Sequence, residues 1–261
     1  MAIDHPALNI LQGKKGLVVG IANENSIAAG CAHAFRRAGA SLAVSYLNEK
    51  AIPWVEPVAR AVDAEIFMAL DVEAPRQMEA MYAEIERRWG RLDFLLHAVA
   101  FAPKDDLHGR VVDCSMDGFA RAMDVSVHSF IRMARLAEPL MTEGGAMLTI
   151  SYYGAEKVVD HYNVMGPVKA ALQAVTRSMA AELGPKGIRV NALSPGPIAT
   201  RAASGIRNFD ALMDEARARA PQHHLVTIED VGAMAACLAS PYARSVTGNI
   251  AYIDAGYHVM A

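Results

Sequence analysis

Residues 16–39 read Gly16-Leu-Val-Val-Gly20-Ile-Ala-Asn-Glu-Asn-Ser26-Ile-Ala-Ala-Gly30-Cys-Ala-His-Ala-Phe-Arg-Arg-Ala-Gly39, and this stretch decides the fold. The apolar run up to Gly20 is typical of a buried parallel strand, because both faces of such a strand are covered. Ser26 is a good N-cap, apolar residues follow at helical spacing, and Gly39 stands where a helix commonly ends. A strand, a glycine turn and a helix N-terminus form a pyrophosphate site, since free amides and the helix dipole face the anion.

The glycine spacing of this stretch leaves an alternative open. Gly20, Ser26 and Gly30 stand in place of the usual G-x-G-x-x-G pattern of dinucleotide-binding turns. An ordinary turn between a strand and a helix is therefore also compatible with these residues. The next predicted strand, residues 41–46, is followed by Leu47-Asn-Glu-Lys50. No basic residue directly follows that strand, which favours NADH over NADPH.

Strands alternate with helices along the remaining chain. Further strands are predicted at residues 41–46, 65–72, 92–99, 144–151, 188–194 and 250–254, and helices at 53–62, 75–89, 116–141 and 231–239. The predicted fold is α/β: a single-domain Rossmann-like, doubly wound sheet of about seven parallel strands with helices on both faces. The domain is expected to span residues 1–261. Residues 201–228 lack a strong strand pattern and are expected to form a mobile substrate lid.

Composition and charge exclude several classes of protein. The 261 residues are 53% hydrophobic, and the formal net charge of −3 gives no footprint for nucleic acid or an anionic membrane. The three cysteines, Cys31, Cys114 and Cys237, lack metal-ligand spacing and fit a reducing compartment. The first residues do not resemble a signal peptide, and no apolar run reaches the roughly 18 residues that span a bilayer. We therefore expect a cytoplasmic protein without a metal site.

Candidate catalytic residues follow the fifth predicted strand. Tyr152 comes directly after it, and Tyr162 and Lys169 stand seven residues apart, so that on one helix the two side chains would share a face. A phenol can donate a hydrogen bond to an oxygen that becomes negative, and an ammonium can hold hydroxyls or phosphates. On this spacing alone, a solvated helix face is the alternative. Ligands of such a sheet bind beyond the carboxyl ends of the strands, where these residues are expected.

Two other polar residues lie in or after predicted strands. Asp71 ends the third strand and either caps a helix or binds an adenine amino group. His97 lies within the apolar fourth strand, and we interpret it as a core histidine with its hydrogen bonds satisfied rather than as a catalyst.

The sequence resembles the short-chain dehydrogenase/reductase superfamily and, within it, the bacterial enoyl-acyl-carrier-protein reductases. The resemblance covers nearly the whole chain, and its most specific element is Tyr162 followed after six residues by Lys169, with Tyr152 upstream. Ordinary ketoreductases of the superfamily carry Tyr-x-x-x-Lys and an upstream serine instead. The other segments that carry the resemblance are Gly20 with Ser26–Ala28, Asp71-Val72, His97 with Phe101–Pro103, Gly154–Glu156, Pro195–Ile198, Ala202–Ile206 and Thr227–Gly232.

The resemblance implies a reaction and a set of roles. Hydride from NADH would reach the β-carbon of a trans-2-enoyl thioester in fatty acid biosynthesis. Tyr162 would hydrogen-bond the thioester oxygen as it becomes an enolate, Lys169 would hold the nicotinamide ribose, and Tyr152 would line the acyl pocket. Ala102 would touch the substrate. The implied cofactor contacts are Gly20, Ser26 and Ile27 at the pyrophosphate turn, Asp71 and Val72 at the adenine, Val99 at the adenosine ribose, Ile198 at the carboxamide, and Thr200 and Ala202 beside the phosphates.

The resemblance also implies a thioester of acyl-carrier protein or coenzyme A as substrate and a homotetramer as the assembly. A ketoreductase of the same superfamily and a catalytically silent nucleotide-binding regulator are the alternatives. The sequence departs from the family pattern at several positions. Leu47 replaces a common glutamine, Ala100 replaces a common glycine, and the lid around Arg207 has fewer basic residues. Pro167 is expected to delay the helix start to about Gly166, which makes the shared face approximate.

Overall fold

The computed structural model describes residues 9–200 and 209–260, and a parallel sheet crosses this part of the chain. The strand order is β3-β2-β1-β4-β5-β6-β7 within the described residues. Each strand lies at its predicted place in the sequence, so the predicted doubly wound sheet of seven parallel strands is confirmed. The strands are β1 Lys15–Val19, β2 Ser41–Tyr46, β3 Ile66–Ala69, β4 Phe94–His97, β5 Gly145–Ile150, β6 Ile188–Pro195 and β7 Ile250–Ile253.

Helices cover both faces of this sheet. One apolar core lies between the sheet and α1, α2 and α9, and the other lies between the sheet and α3, α5, α6 and α7. Burial on both faces explains why β1, β4 and β5 are continuous apolar runs rather than alternating ones. The helices are α1 Ile27–Arg37, α2 Ile52–Ala61, α3 Gln77–Trp89, α4 Lys104–His108, α5 Met116–Met123, α6 Ser129–Ala137, α7 Met165–Leu183, α8 Phe209–Arg219 and α9 Ile228–Ala239.

The helix α1 begins and ends as its sequence predicts. The Ser26 side chain accepts a hydrogen bond from the Ala29 amide at the N-terminus, and Gly39, with φ +98°, follows the C-terminus. Along its length α1 packs against α9 through two glycines. A Cβ at Gly30 would collide with the Ile228 carbonyl, and a Cβ at Gly232 would lie 2.5 Å from the Gly30 carbonyl oxygen. The backbones of the two helices are therefore in direct contact.

Three helical features differ from the prediction. The helix expected over residues 116–141 is interrupted by a π turn at Asp124–His128 that separates α5 from α6. The short helix α4 has no counterpart in the prediction. In the predicted lid, Phe209–Arg219 forms α8, while residues 201–208 lie outside the described residues.

The described residues, 9–200 and 209–260, contain no helix suited to a membrane and no side-chain cluster suited to a metal ion. No helix among them is both long enough and apolar enough to cross a membrane. No group of three or more His, Cys, Asp or Glu side chains in the same part of the chain is arranged to hold a metal ion.

Candidate active site

The crevice between β1 and β4 is the place where the strand order reverses. In sheets of this kind, ligands bind at such a reversal, beyond the carboxyl ends of the strands. Gly20 leaves β1 with φ +108°, and any Cβ there would collide with the Ala98 carbonyl, so only glycine fits. The turn leads through Ser26 into α1, whose first turn carries no acidic residue. The geometry suits an anion at the helix N-terminus, as predicted for a pyrophosphate.

The turn that precedes α7 carries Tyr162. The helix begins at Met165, one residue from the predicted start, so Pro167 occupies the first turn, where its missing N–H costs no hydrogen bond. Asn163 has φ +40°, and its side chain donates to the Leu107 carbonyl of α4 at 2.7 Å. Tyr162 therefore stands outside the helix that holds Lys169. The prediction that the two share one helix face is wrong, because the proline shortens the helix.

The rings of Tyr152 and Tyr162 pack edge to face, with their centroids 4.8 Å apart. Both lie over Gly154, where a Cβ would be 2.6 Å from Cδ1 of Tyr162 and 3.1 Å from Cδ1 of Tyr152. Sequence reasoning quoted Gly154 within the family pattern but gave it no role. The glycine leaves room for the two rings, and this role depends on contacts that no local pattern reveals.

Both phenols are held in their protonated form. Burial raises the pKa of Tyr162 and of Tyr152 well above the ordinary value, because a phenolate is poorly solvated there. The Tyr152 hydroxyl is buried and has no hydrogen-bond partner among the described residues. A buried polar group of this kind normally has a partner, so the hydroxyl is suited to meet a bound ligand. The arrangement offers two phenolic donors side by side.

Lys169 lies on α7 with only 5% of its surface exposed. Its ammonium donates to the Ile150 carbonyl at the end of β5, with Nζ and O 2.6 Å apart. Burial lowers the pKa of Lys169 to about 8, so at neutral pH the side chain is still mainly charged. A positive charge is thus held at the carboxyl ends of the strands, where the sequence predicts the nicotinamide ribose.

His97 is a fully buried core histidine, as predicted. Its Nδ1 lies 2.9 Å from Thr149 Oγ1 and its Nε2 lies 2.8 Å from Ser129 Oγ. The Ser129 hydroxyl donates its proton to the Val125 carbonyl, so toward His97 it can only accept. Nε2 of His97 therefore carries the ring proton, and Nδ1 accepts from the Thr149 hydroxyl. Burial, with a smaller contribution from the Lys169 charge, lowers the pKa of His97 to about 3. The ring is neutral and acts as a structural link between β4, β5 and α6.

The predicted adenosine contacts lie in the loops after β3 and β4. Asp71 Oδ1 accepts from the Glu73 amide at 2.9 Å, and Arg76 occupies the position before α3, so the helix-cap alternative for Asp71 is wrong. Contact with adenine remains the prediction for Asp71, with Val72 beside it. Val99 and Ala102 lie partly buried against the core on the α3 side of the sheet.

A cleft of about 350 Å³ opens between the loop after β6 and the start of α9. Asn25 of the turn before α1 lines it on one side, and Ile198 lies in its wall. Met213 of α8 also lines it, so the helical part of the predicted lid faces the predicted cofactor site. Thr200 follows this loop, whereas the predicted contact Ala202 lies outside the described residues.

Comparison with known proteins identifies close relatives over nearly the whole chain. The sequence model of a family described as Enoyl-(Acyl carrier protein) reductase matches residues 20–258. Enoyl-[acyl-carrier-protein] reductase [NADH] 1 of Rhizobium meliloti is 45% identical over 254 residues, which cover 97% of this chain and 93% of the relative. The enoyl-[acyl-carrier-protein] reductase [NADH] FabI of Haemophilus influenzae is 45% identical over 255 residues, or 97% of each chain.

A solved structure of a similarly named enzyme also resembles this chain. The enoyl-(acyl-carrier-protein) reductase of Anaplasma phagocytophilum, in complex with NAD, superposes with a TM-score of 0.93 at 44% identity. The superposition covers 97% of this chain and 96% of that chain. The likeness therefore extends to the whole sheet and its covering helices.

Proposed function

Because the chain belongs to the enoyl-(acyl carrier protein) reductase family, we propose that Tyr152, Tyr162 and Lys169 carry out its reaction. The enzyme is an NADH-dependent oxidoreductase of fatty acid biosynthesis, which reduces the carbon–carbon double bond of an enoyl thioester. The observation that carries the assignment of residues is the buried Tyr152 hydroxyl, which has no partner within residues 9–200 and 209–260, beside the Tyr162 ring.

The residues of the crevice fit NADH. Gly20 lies against the backbone of Ala98, directly after β4, and the first turn of α1 carries no acidic residue, which suits a pyrophosphate. The ammonium of Lys169 is a donor for ribose hydroxyls. NADH, when bound, supplies the hydride that reaches the β-carbon of the enoyl thioester.

Tyr162 would stabilise the charge that develops on the thioester oxygen. Its phenol stays protonated because it is buried, so it can donate a hydrogen bond to that oxygen as it becomes an enolate. A single donor of this kind contributes about 3 kcal/mol to stabilising the transition state. Tyr152 would line the acyl pocket beside it and offer its unpartnered hydroxyl to the substrate.

Lys169 would act on the same site through its charge. To bind a ribose hydroxyl, the ammonium either gives up its hydrogen bond to the Ile150 carbonyl or keeps it and donates to both groups. Because the group is buried, its positive charge is poorly screened and favours negative charge that develops nearby.

Steady-state consumption of NADH with crotonyl thioesters of acyl-carrier protein and of coenzyme A tests the assignment. Tyr162→Phe should lower kcat by about 100-fold or more, and Lys169→Ala should also cripple turnover. Tyr82→Phe is the matched control, since the Tyr82 hydroxyl of α3 is likewise buried and has no partner in the part of the chain that the structure describes. Fast reduction of ketones without enoyl activity would point to a ketoreductase, and tight NADH binding without turnover would point to a regulator; either result would overturn the proposal.

We further infer that the enzyme is one catalytic domain, that its substrate is carried by acyl-carrier protein, and that α8 belongs to the substrate lid. The names of the relatives support the carrier, and the cleft beside Met213 supports the lid. Comparison of kcat/KM for the two crotonyl thioesters tests the carrier, because a preference for the coenzyme A form would contradict it.

We infer that the enzyme is a homotetramer and that it is located in the cytoplasm. Met116 and Phe119 stand three residues apart on α5 with 87% and 42% of their surfaces exposed, which supports a partner subunit on this helix. The free thiols of Cys31, Cys114 and Cys237 are compatible with a reducing compartment. Light scattering that shows only monomer would refute the tetramer.

A further inference from the structure

The π turn between α5 and α6 changes the hydrogen bonding of the helix at one point. The Ser129 amide donates to the Asp124 carbonyl, five residues back, and the Val125 carbonyl accepts from the Ser129 hydroxyl at 2.6 Å. The turn therefore inserts a residue without ending the helix. Such turns occur frequently at functional sites.

Ser126 lies within this turn and is fully buried. Its hydroxyl accepts from the Phe101 amide at 3.0 Å and donates to the Phe101 carbonyl at 3.2 Å. One side chain thus satisfies both backbone groups of a residue in the loop after β4. Three residues further along, Ser129 accepts from His97 at the end of β4. The segment from His97 to Phe101 is consequently attached at both ends to the same stretch of helix.

The Phe101 ring has a separate contact. The Arg121 guanidinium lies over it, with Cζ 4.5 Å from the ring centroid. Arg121 also donates to both carboxylate oxygens of Glu73, at 2.7 and 2.9 Å. Glu73 directly follows the predicted adenine contacts Asp71 and Val72. The loops after β3 and β4 are therefore linked through Arg121.

We propose that Ser126 is a positioning residue that fixes the segment Val99–Ala102 for NADH and the enoyl substrate through the Phe101 backbone. The proposal rests on the proposed function, which places the adenosine ribose at Val99 and the substrate at Ala102. Binding to a segment that is already ordered avoids the conformational entropy cost of ordering it at the moment of binding. Arg121 contributes in the same way, through the exposed ring.

Substitution of Ser126 by alanine tests the proposal. Ser126→Ala removes two hydrogen bonds that order the segment in the free enzyme, so KM for NADH and for crotonyl thioester should each rise about five- to tenfold. The kcat should stay within about twofold, because the lost order affects ground-state and transition-state binding alike. Arg121→Met should raise both KM values by about two- to threefold.

The matched control is Ser240→Ala. The Ser240 hydroxyl is equally buried and also joins one amide, of Tyr242, to one carbonyl, of Cys237. It lies at the end of α9, beside Arg189 at the start of β6, and so at the opposite edge of the sheet from the carboxyl ends of the strands. This variant should lose stability without a change in KM. Equal KM values for Ser126→Ala and Ser240→Ala would overturn the proposal. If Ser126→Ala does not fold, unchanged KM values for Arg121→Met would have the same consequence.

The activity of the wild-type enzyme distinguishes a failure of this proposal from a failure of the proposed function. A wild-type enzyme without enoyl reductase activity would refute the proposed function. An active wild type together with unchanged KM values in Ser126→Ala would refute only the positioning role. Fluorescence titration of NADH gives a binding constant that does not depend on turnover. That constant should weaken about five- to tenfold in Ser126→Ala and stay unchanged in Ser240→Ala.

Discussion

Substitution of Gly154 by alanine would disturb Tyr152 and Tyr162, the two tyrosines proposed for the active site, without removing any of their atoms. Gly154 lies in the short turn after Tyr152, and its φ is not in the left-handed region, so alanine meets no backbone strain. The effect would come from sterics alone. The added Cβ would stand 2.6 Å from Cδ1 of Tyr162, whereas carbon atoms in good contact are about 3.5–4.0 Å apart.

The Tyr162 ring would therefore have to move by about 1 Å, and the Tyr152 ring by somewhat less. A displacement of that size at a reacting centre costs about 100-fold in rate, since the proposed hydrogen bond from Tyr162 to the developing enolate would lose its geometry. Overpacking of this kind lowers the free energy of unfolding by about 1–3 kcal/mol. We expect kcat/KM for crotonyl thioester to fall about 100-fold in an enzyme that is still folded.

The assay combines steady-state kinetics with urea denaturation of the same preparation. Gly184→Ala at the end of α7 is the control, because among the described residues its added Cβ would have nothing within 4 Å beyond its chain neighbours and its own helix backbone. That variant should match the wild type in kcat/KM, while its stability can fall because residue 184 precedes Pro185 in a helical conformation. A folded Gly154→Ala enzyme that keeps at least a third of the wild-type kcat/KM would show that the tyrosine rings need no such precise placement, and the reasoning would be refuted.

Three further predictions concern charge and capping. The pKa of Lys169 is lowered to about 8, so kcat/KM should fall as pH rises through that value. Lys169→Arg should move this fall to higher pH, because the guanidinium stays charged. A profile of kcat/KM that is flat to about pH 10 would contradict the prediction. The pKa of His97 is about 3 in the folded protein against an ordinary 6.5, so the unfolded state alone gains the proton between these values and stability is lost as pH falls through this window. The wild type should therefore lose about 2 kcal/mol more than His97→Gln between pH 7 and pH 5 in urea denaturation, and equal losses would refute the buried neutral ring. Thr227→Ala breaks the reciprocal cap with Asp230 and should cost about 1 kcal/mol in the same assay, while Thr227→Ser should cost little.

The sheet could be predicted from the sequence because its signals are local. A strand buried on both faces needs a short continuous apolar run, and Ser41–Tyr46 is predicted at the bounds that it has in the structure. The cap at Ser26 and the reciprocal cap at Thr227 are likewise set by residues close in sequence. The helix α8 was missed since Ala216 is its one fully buried residue, which leaves hardly any apolar periodicity to detect.

The site was less accessible to prediction than the sheet. The spacing of Tyr162 and Lys169 predicts a shared helix face, but the proline between them places the tyrosine before the helix rather than on it. The π turn at Ser126 has no sequence signature, because it depends on which carbonyl each amide finds in the folded chain. Gly154 owes its role to two rings that fold over it, and this is a tertiary property.

The contact between Gly30 of α1 and Gly232 of α9 determines what a larger side chain on α9 would do to the site. With the backbones touching at Gly30 and Gly232, neither helix can slide along the other or accept a side chain between them. A bulkier residue on α9 would push the amide-bearing end of α1 away from the crevice. Such a substitution at Gly232, one helical turn from the cleft-lining Ile228, would be noticed first as poor retention of the dinucleotide.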